Sequence, residues 1–128
     1  MSGFREKGFP AGWTELRTTA VEAAETLGTT AEILAETWVN QGSPFVDLFC
    51  VGTLAAANSL NITMLEVNTE EDGSKQAYPV KHAFKDGSTT ITVDEECIIP
   101  MVTARGEVAV VFTSEVGAAS VKVWIRNC

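Results

Sequence analysis

The 128-residue chain contains no apolar run that approaches the roughly 20 residues needed to span a bilayer as a helix. It also lacks any cluster of lysine and arginine. Nine basic residues stand against 17 acidic ones, which gives a formal net charge of −8 at pH 7. A body this acidic repels phosphate backbones and anionic lipid headgroups. We therefore expect neither nucleic acid nor a membrane among its partners.

Histidine and cysteine, which supply many catalytic and metal sites, are scarce. His82 is the only histidine, and no serine lies in a nucleophile-elbow motif, so the sequence offers no Ser–His–Asp pattern. Cys50, Cys97 and Cys128 are separated by 46 and 30 residues, which matches neither a zinc nor a CxxC pattern. Their odd number and an N-terminus without a signal-peptide pattern predict reduced thiols and cytosolic synthesis without processing. We predict no catalytic residues, no metal and no cofactor, and hence a protein that is not an enzyme.

Acidic residues gather in two clusters, which a calcium site or a pair of acid/base carboxylates would also require. The first cluster lacks the alternating oxygen ligands and the glycine position of an EF-hand loop. Solvated turn charges that keep edge strands apart account for both clusters more simply. The clusters are Glu66, Glu70, Glu71 and Asp72, and then Asp94, Glu95 and Glu96.

From residue 45 onward the sequence has the pattern of an antiparallel β-protein. Seven apolar or alternating segments follow one another, separated by turn signals such as Asp72-Gly73-Ser74. Pro79 and Pro100 fall inside two segments and mark them as edge strands or bulges. No helical crossover separates the segments, so a parallel α/β sheet is excluded. The predicted strands are Phe45–Leu54, Leu60–Thr69, Gln76–Phe84, Thr89–Val93, Cys97–Val102, Val108–Thr113 and a final strand over residues 121–126.

Alternation also assigns the faces of the strands. In the second segment, apolar residues point both ways, which predicts a central strand covered on both faces. In the final strand, the residues at 121, 123 and 125 form the buried face and leave Lys122, Trp124 and Arg126 on the less buried one. Trp124 there could cover a second layer, form an intersubunit contact or stack on a sugar ring. Interfaces are enriched in tryptophan and arginine, whereas one tyrosine and three tryptophans in the whole chain supply few sugar platforms.

The first 41 residues differ from the rest. Four of the first twelve are glycine or proline, so residues 1–13 are predicted to form an extended arm that carries Phe4, Phe9 and Trp13 as aromatic anchors. Helical spacing favours a helix over 14–27, whereas residues 29–40 fit a helix and a strand equally. We therefore predict an arm followed by a single domain over residues 14–128. That domain is all-β, an antiparallel β-sandwich or jelly roll of about seven to eight strands.

Two segments carry a family resemblance. In LNITMLEVNTEEDGSKQAYPV (residues 60–80), an apolar strand runs into an acidic Asp-Gly-Ser hairpin. In MVTARGEVAVVFTSEVGAASVKVWIRNC (residues 101–128), two closing strands end in a Val-x-Val-Trp pattern. Residues 46–128, which contain both segments, resemble the small β-sandwich (jelly-roll-like) decoration, or cement, proteins of tailed-bacteriophage capsids.

The resemblance implies a structural virion protein that is made in the host cytoplasm and binds the outer surface of an icosahedral capsid. It would stabilise the capsid by bridging subunits of the major capsid protein, as a homo-oligomer such as a dimer or trimer. The alternatives are a carbohydrate-binding β-sandwich module, another virion component such as a minor coat or tail-tube subunit, and, last, an enzyme. The candidate interface residues are Phe4, Phe9, Trp13, Trp124 and Arg126.

Overall fold

The computed structural model describes residues 12–17, 33–40, 42–54, 60–114 and 119–127, and these residues form nine β-strands. The strands pair antiparallel into two sheets, so the described part of the chain is all-β and has the arrangement of a β-sandwich, as the sequence predicted. All seven strands predicted after residue 44 are present. The strands are β1 (Thr14–Arg17), β2 (Trp38–Asn40), β3 (Phe45–Leu54), β4 (Leu60–Thr69), β5 (Lys75–Pro79), β6 (Thr90–Val93), β7 (Cys97–Thr103), β8 (Gly106–Ser114) and β9 (Ala119–Asn127).

The pairing of the strands is nested along the chain. The four-stranded sheet has the order β1-β9-β3-β7, and the five-stranded sheet has the order β2-β8-β4-β5, with β6 also paired to β4. Strand β1 thus pairs with β9, β2 with β8, β3 with β7, and β4 with β5 and β6. Each sheet therefore combines strands from the early and the late parts of the chain.

The main core lies between the two sheets. Alternating residues of the long strands point into it, and burial of each such side chain contributes roughly 1.5–3 kcal/mol. The inward face of β9 is the one that alternation predicted. The core includes Val46, Leu48, Cys50, Ile62, Met64, Val108, Val110, Phe112, Val121, Val123 and Ile125.

A second apolar layer covers the outer face of the five-stranded sheet. Leu65 and Val67 of β4 and Ala109 and Val111 of β8 are buried there beneath Ile33. Ile33 lies in a turn that precedes β2. Strand β4 is therefore covered on both faces and paired along both edges, which confirms the prediction of a central strand.

Arg17 links the two sheets at their edge. Its Nη1 donates to the carbonyl oxygen of Val110 at 3.0 Å, and its guanidinium lies over the ring of Phe112, 4.8 Å from the centroid. Strand β2 pairs with β8 only over residues 106–108. Arg17 of β1 therefore bonds β8 beyond the end of β2, and its Nε lies 3.7 Å from Glu36 Oε2.

The helix favoured over residues 14–27 is wrong where the structure describes that segment, because residues 14–17 form β1. The register between β1 and β9 shifts at Leu16, and this bulge buries both Leu16 and Arg17. Pairing with a distant strand thus overrides the local helical spacing. Residues 18–32 lie outside the described residues. In the segment that fitted helix and strand equally, the described residues form a turn over 33–36 followed by the strand Trp38–Asn40.

The two internal prolines lie on edge strands, as predicted. Pro79 ends β5, whereas the sequence had placed that strand as far as residue 84. His82 consequently lies in a turn and not in a strand, with a left-handed φ of 56°. Pro100 lies in β7, the other edge. Among the described residues, no helix is long and apolar enough to cross a membrane.

Candidate functional site

Three of the five predicted interface residues come together on the outer face of the four-stranded sheet. Trp124 and Arg126 point outward from β9, and Trp13 enters β1 beside them. Register places Trp124 between Glu15 of β1 and Phe49 of β3. The other two predicted residues, Phe4 and Phe9, lie outside the described residues.

An ion pair fixes Arg126 in the middle of this face. Its Nε donates to Asp47 Oδ2 at 3.0 Å, and the two residues are direct register partners on β9 and β3. The Arg126 guanidinium also lies over the Trp13 ring, 4.2 Å from its centroid, in a cation–π contact. Asp47 is buried. The arginine is therefore held by a charged partner on one side and an aromatic ring on the other.

Aromatic rings surround the ion pair. The centroids of Trp13 and Phe49 are 5.6 Å apart with the rings tilted by 53°, a favourable aromatic geometry. Trp124 stands opposite Phe49 and retains only 5% of its surface exposed, although alternation had placed it on the less buried face. It is therefore a covered residue under this face, and its ring has no open side on which a sugar could stack.

A β-bulge in the edge strand β7 extends the face. The register between β3 and β7 shifts opposite Asp47, where Pro100 and Met101 together face a single residue. Asp47 Oδ1 accepts the N–H of Met101 at 3.2 Å, and Met101 has a left-handed φ of 56°. The side chain of Asp47 therefore supports the bulge and holds Arg126 at the same time. The side chain of Met101 is left exposed.

Exposed apolar side chains border the ion pair. Ile98 of β7 pairs with Phe49 and is 53% exposed, and Phe45 lies two residues before Asp47 on the same face of β3. Neither residue was predicted from the sequence. The alternation Phe45-x-Asp47-x-Phe49 is a signal that could have identified the β3 part of this face, because residues at a spacing of two share one side of a strand.

We call this surface the outer-face patch. It combines apolar side chains, a methionine and a clamped arginine, which are residue types enriched at protein interfaces. Such a surface can bury apolar area against a partner and orient it through the charge pair. The patch consists of Trp13, Phe45, Asp47, Phe49, Ile98, Met101 and Arg126.

Members of both acidic clusters accept hydrogen bonds within a turn or from a neighbouring strand. Asp72 accepts hydrogen bonds from the hydroxyl and the backbone N–H of Ser74, which lower the pKa of its carboxyl below the usual value. Glu96 Oε2 accepts the N–H of Gly52 at 3.0 Å. In the part of the chain that the structure describes, no group of three His, Cys, Asp or Glu side chains could hold a metal ion.

His82 has a local structural contact. Its Nδ1 lies 2.6 Å from the carbonyl oxygen of Gly87, and its backbone N–H donates to Thr89 Oγ1 at 3.2 Å. The side chain is exposed. These contacts close the turn between β5 and β6, so the sole histidine of the sequence has a role in turn geometry.

Two residues that the sequence did not connect are brought together in the structure. Cys50 of β3 stands directly opposite Cys97 of β7, although 46 residues separate them along the chain. Both are free thiols. Sequence motifs identify cysteine pairs that are close along the chain. Cys50 and Cys97 are brought together only by the register of β3 and β7, so no such motif identifies them.

No protein-family model, curated protein or solved structure matches the chain.

Proposed function

We propose that this chain is a structural virion protein that binds the outer surface of an icosahedral phage capsid and stabilises it by bridging coat subunits. The observation that carries the proposal is the outer-face patch. Exposed Phe45, Ile98 and Met101 surround an arginine that is already oriented. A cluster of exposed apolar side chains around an oriented arginine favours association with another protein.

The two sheets differ in what they offer a partner. Ile33 covers apolar residues on the outer face of the five-stranded sheet, so the middle of that face has its own cover and Val39 is exposed only at its edge. The outer-face patch keeps Ile98 half exposed at the edge of the four-stranded sheet. Because Asp47 and Trp13 already hold Arg126, binding there loses little side-chain entropy. This favours the four-stranded sheet as the side that faces the coat.

The strand order supports placing the sandwich in the jelly-roll class. Pairs β1–β9, β2–β8, β3–β7 and β4–β5 are nested, with β6 sharing the β4 edge with β5. Two Greek keys folded on each other produce such nesting in an eight-stranded jelly roll. That class is also the one implied by the resemblance to decoration proteins in residues 60–80 and 101–128.

The arm proposed for residues 1–13 runs directly into the patch, because Trp13 belongs to both. We propose that Phe4 and Phe9 add contact area on a neighbouring coat subunit or on another copy of this chain. A dimer or trimer would then present two or three patches at once, and multivalent attachment holds weak single contacts together. The partner in this proposal is the major capsid protein.

Co-sedimentation with capsids assembled from the major capsid protein of the same source tests the proposal. We expect saturable binding at a fixed ratio to the coat subunit, weakened by about tenfold or more in Ile98→Lys. Val39→Lys is the matched control, because Val39 is a β-branched residue on an edge strand of the other sheet and is 52% exposed. Both variants change the net charge equally.

A second comparison separates the arm from the patch. Deletion of residues 1–12 retains Trp13 and removes Phe4 and Phe9, so reduced binding in this variant assigns contact area to the arm. If the full chain does not sediment with capsids at any concentration, the decoration role is wrong. Equal binding by Ile98→Lys and Val39→Lys would instead move the contact to another surface.

A further inference from the structure

The thiols of Cys50 and Cys97 occupy directly opposed positions on neighbouring antiparallel strands. Residues opposed in this way have Cα atoms about 4.5 or 5.5 Å apart, depending on the type of pair. Both separations lie within the range of about 4.4 to 6.8 Å in which disulfides form. The backbone therefore already satisfies the main geometric condition for a bond between the two sulfurs.

The two thiols differ in exposure and acidity. Cys50 lies in the core between the sheets, whereas Cys97 begins the edge strand and is partly exposed. A hydrogen bond from Cys50 lowers the pKa of Cys97 to about 7, against opposing effects of burial and of Glu95 and Asp94. The same hydrogen bond and burial raise the pKa of Cys50 well above its ordinary value. Cys97 is thus the nucleophile of the pair.

We propose that Cys50 and Cys97 form a redox-active pair that closes a cross-strand disulfide when the chain meets a low-molecular-weight disulfide such as oxidised glutathione. The inference goes beyond the proposed function and does not depend on it. It also departs from the expectation that all three cysteines stay reduced, which rested on their odd number and on an N-terminus without a signal-peptide pattern.

The reaction takes place in two exchange steps. The Cys97 thiolate attacks one sulfur of oxidised glutathione, forming a mixed disulfide and releasing one glutathione thiolate, which takes up a proton. The Cys50 sulfur then attacks the Cys97 sulfur, and the Cys50 proton passes to the second glutathione, which leaves as a thiol. Two protein thiols are oxidised to one disulfide, and one glutathione disulfide is reduced to two thiols.

The surroundings of Cys50 fix the order of these steps. A cleft lined by Cys50, Gly52, Glu95 and Glu96 leads toward it, with a volume of about 10 Å³. That space holds about one water molecule and excludes a tripeptide disulfide. Glutathione therefore reacts first at Cys97, and Cys50 acts as the resolving thiol from the core side.

Closure of the disulfide would attach the edge strand β7 covalently to β3. Ile98 of the outer-face patch is the residue next to Cys97, so the cross-link anchors the patch at its exposed border. The bond also closes a loop with 46 intervening residues, which restricts the unfolded chain. We expect the oxidised chain to unfold at a temperature about 5–10 °C higher than the reduced chain.

The test uses the full chain with Cys128→Ser, which confines the chemistry to the pair. The reduced protein is equilibrated in glutathione buffers that range from fully reduced to fully oxidised, then quenched with acid. We expect loss of both free thiols, loss of the mass of two hydrogen atoms, and a non-reduced peptide that joins Cys50 to Cys97. Cys50→Ala should instead accumulate a glutathionyl group on Cys97, and Cys97→Ser should leave Cys50 unreacted.

Several outcomes would overturn the proposal. One is a stable glutathionyl adduct on Cys97 in the chain that retains Cys50, because the resolving step would then not occur. Another is retention of two free thiols in fully oxidised glutathione at equilibrium. The peptide map of the Cys128→Ser chain does not require any cysteine variant of the pair to fold, so the result does not depend on those variants.

Discussion

Asp47 and Arg126 stand opposite each other on β3 and β9 and are joined by an ion pair of 3.0 Å between Oδ2 and Nε. The second carboxylate oxygen of Asp47 accepts the N–H of Met101 in the β7 bulge. The buried carboxylate of Asp47 thus links three strands of the four-stranded sheet, namely β3, its neighbour β9 and the edge strand β7. The outer-face patch is built around this coupling.

Removing that carboxylate should release both contacts. We expect Asp47→Ala to lower the free energy of unfolding by about 2 kcal/mol, because the Met101 N–H loses its acceptor, whereas the half-exposed Arg126 can regain solvent. Asp47→Asn should cost less, since its side-chain oxygen can still accept the Met101 N–H. Urea denaturation checks both values, with Asp94→Ala on the exposed turn as the control. Equal stability of Asp47→Ala and Asp94→Ala would contradict the role of the pair.

Arg17 should contribute more than a surface arginine. It is 3% exposed and donates to the Val110 carbonyl, so Arg17→Met leaves that carbonyl without this donor and removes one charged contact of Glu36. We expect a loss of about 3 kcal/mol in the free energy of unfolding. Arg105→Met, at an exposed turn, should change it by less than about 0.5 kcal/mol. Urea denaturation measures both variants. If Arg17→Met left the free energy of unfolding unchanged, the Arg17 link between the sheets would not be needed for stability.

Glu107 should make the stability depend on pH. Hydrogen bonds from the Thr37 hydroxyl and from Lys75 lower the pKa of its carboxyl below 4.5. A carboxyl with a lowered pKa in the folded state stabilises the fold above its unfolded pKa, and this contribution is lost as the pH falls through the folded value. We expect Glu107→Gln to cost about 0.5 kcal/mol at pH 7, a small value because Lys75 is largely solvated.

The gap between Glu107→Gln and the natural chain should therefore close as the pH is lowered from 6 to 3. Urea denaturation at several pH values measures it, and Glu71→Gln on the exposed turn serves as the control. A gap that stays constant over this range would show that ionisation of Glu107 does not stabilise the fold.

Alkylation of Cys97 should have an unusual pH profile. With a pKa of about 7, its thiolate fraction, and so its rate with iodoacetamide, rises about tenfold between pH 6 and 8. A thiol with the ordinary pKa of 9.0 would show a rise of about a hundredfold over the same range. Cys50→Ala should restore the steep profile, because it removes the hydrogen bond that lowers the pKa. Mass spectrometry of the Cys97 peptide follows the rate.

The long strands could be predicted because apolar and polar residues alternate within each strand and so indicate which of its faces is buried. Apolar residues on both sides of β4 indicated a central strand, and Pro79 and Pro100 indicated edges, as observed. Strands β1 and β2 were missed or left open because they are only four and three residues long. In such short strands, pairing with β9 and β8 decides the conformation, and a local window does not contain those partners.

The candidate site was predictable to a similar extent. Alternation in β9 placed Trp124 and Arg126 on one face, and the structure joins Trp13 to Arg126 through a cation–π contact. Nothing local pointed to Asp47 as the partner of Arg126, because 78 residues separate them in the sequence. The exposure of Met101 depends on a bulge, and bulges arise from the fit between two strands rather than from one of them.

The nested strand order also governs when this chain can fold during synthesis. Strand β9 lies between β1 and β3, and it is the last of the nine to leave the ribosome. Until β9 is made, β1 has no strand to pair with. Strand β3 can pair with β7, but its other hydrogen-bonding edge stays open. Native pairing of this kind joins residues far apart in the chain, which slows folding and exposes strand edges to other nascent chains. The four-stranded sheet, and with it the outer-face patch, is therefore completed only after β9 has been synthesised.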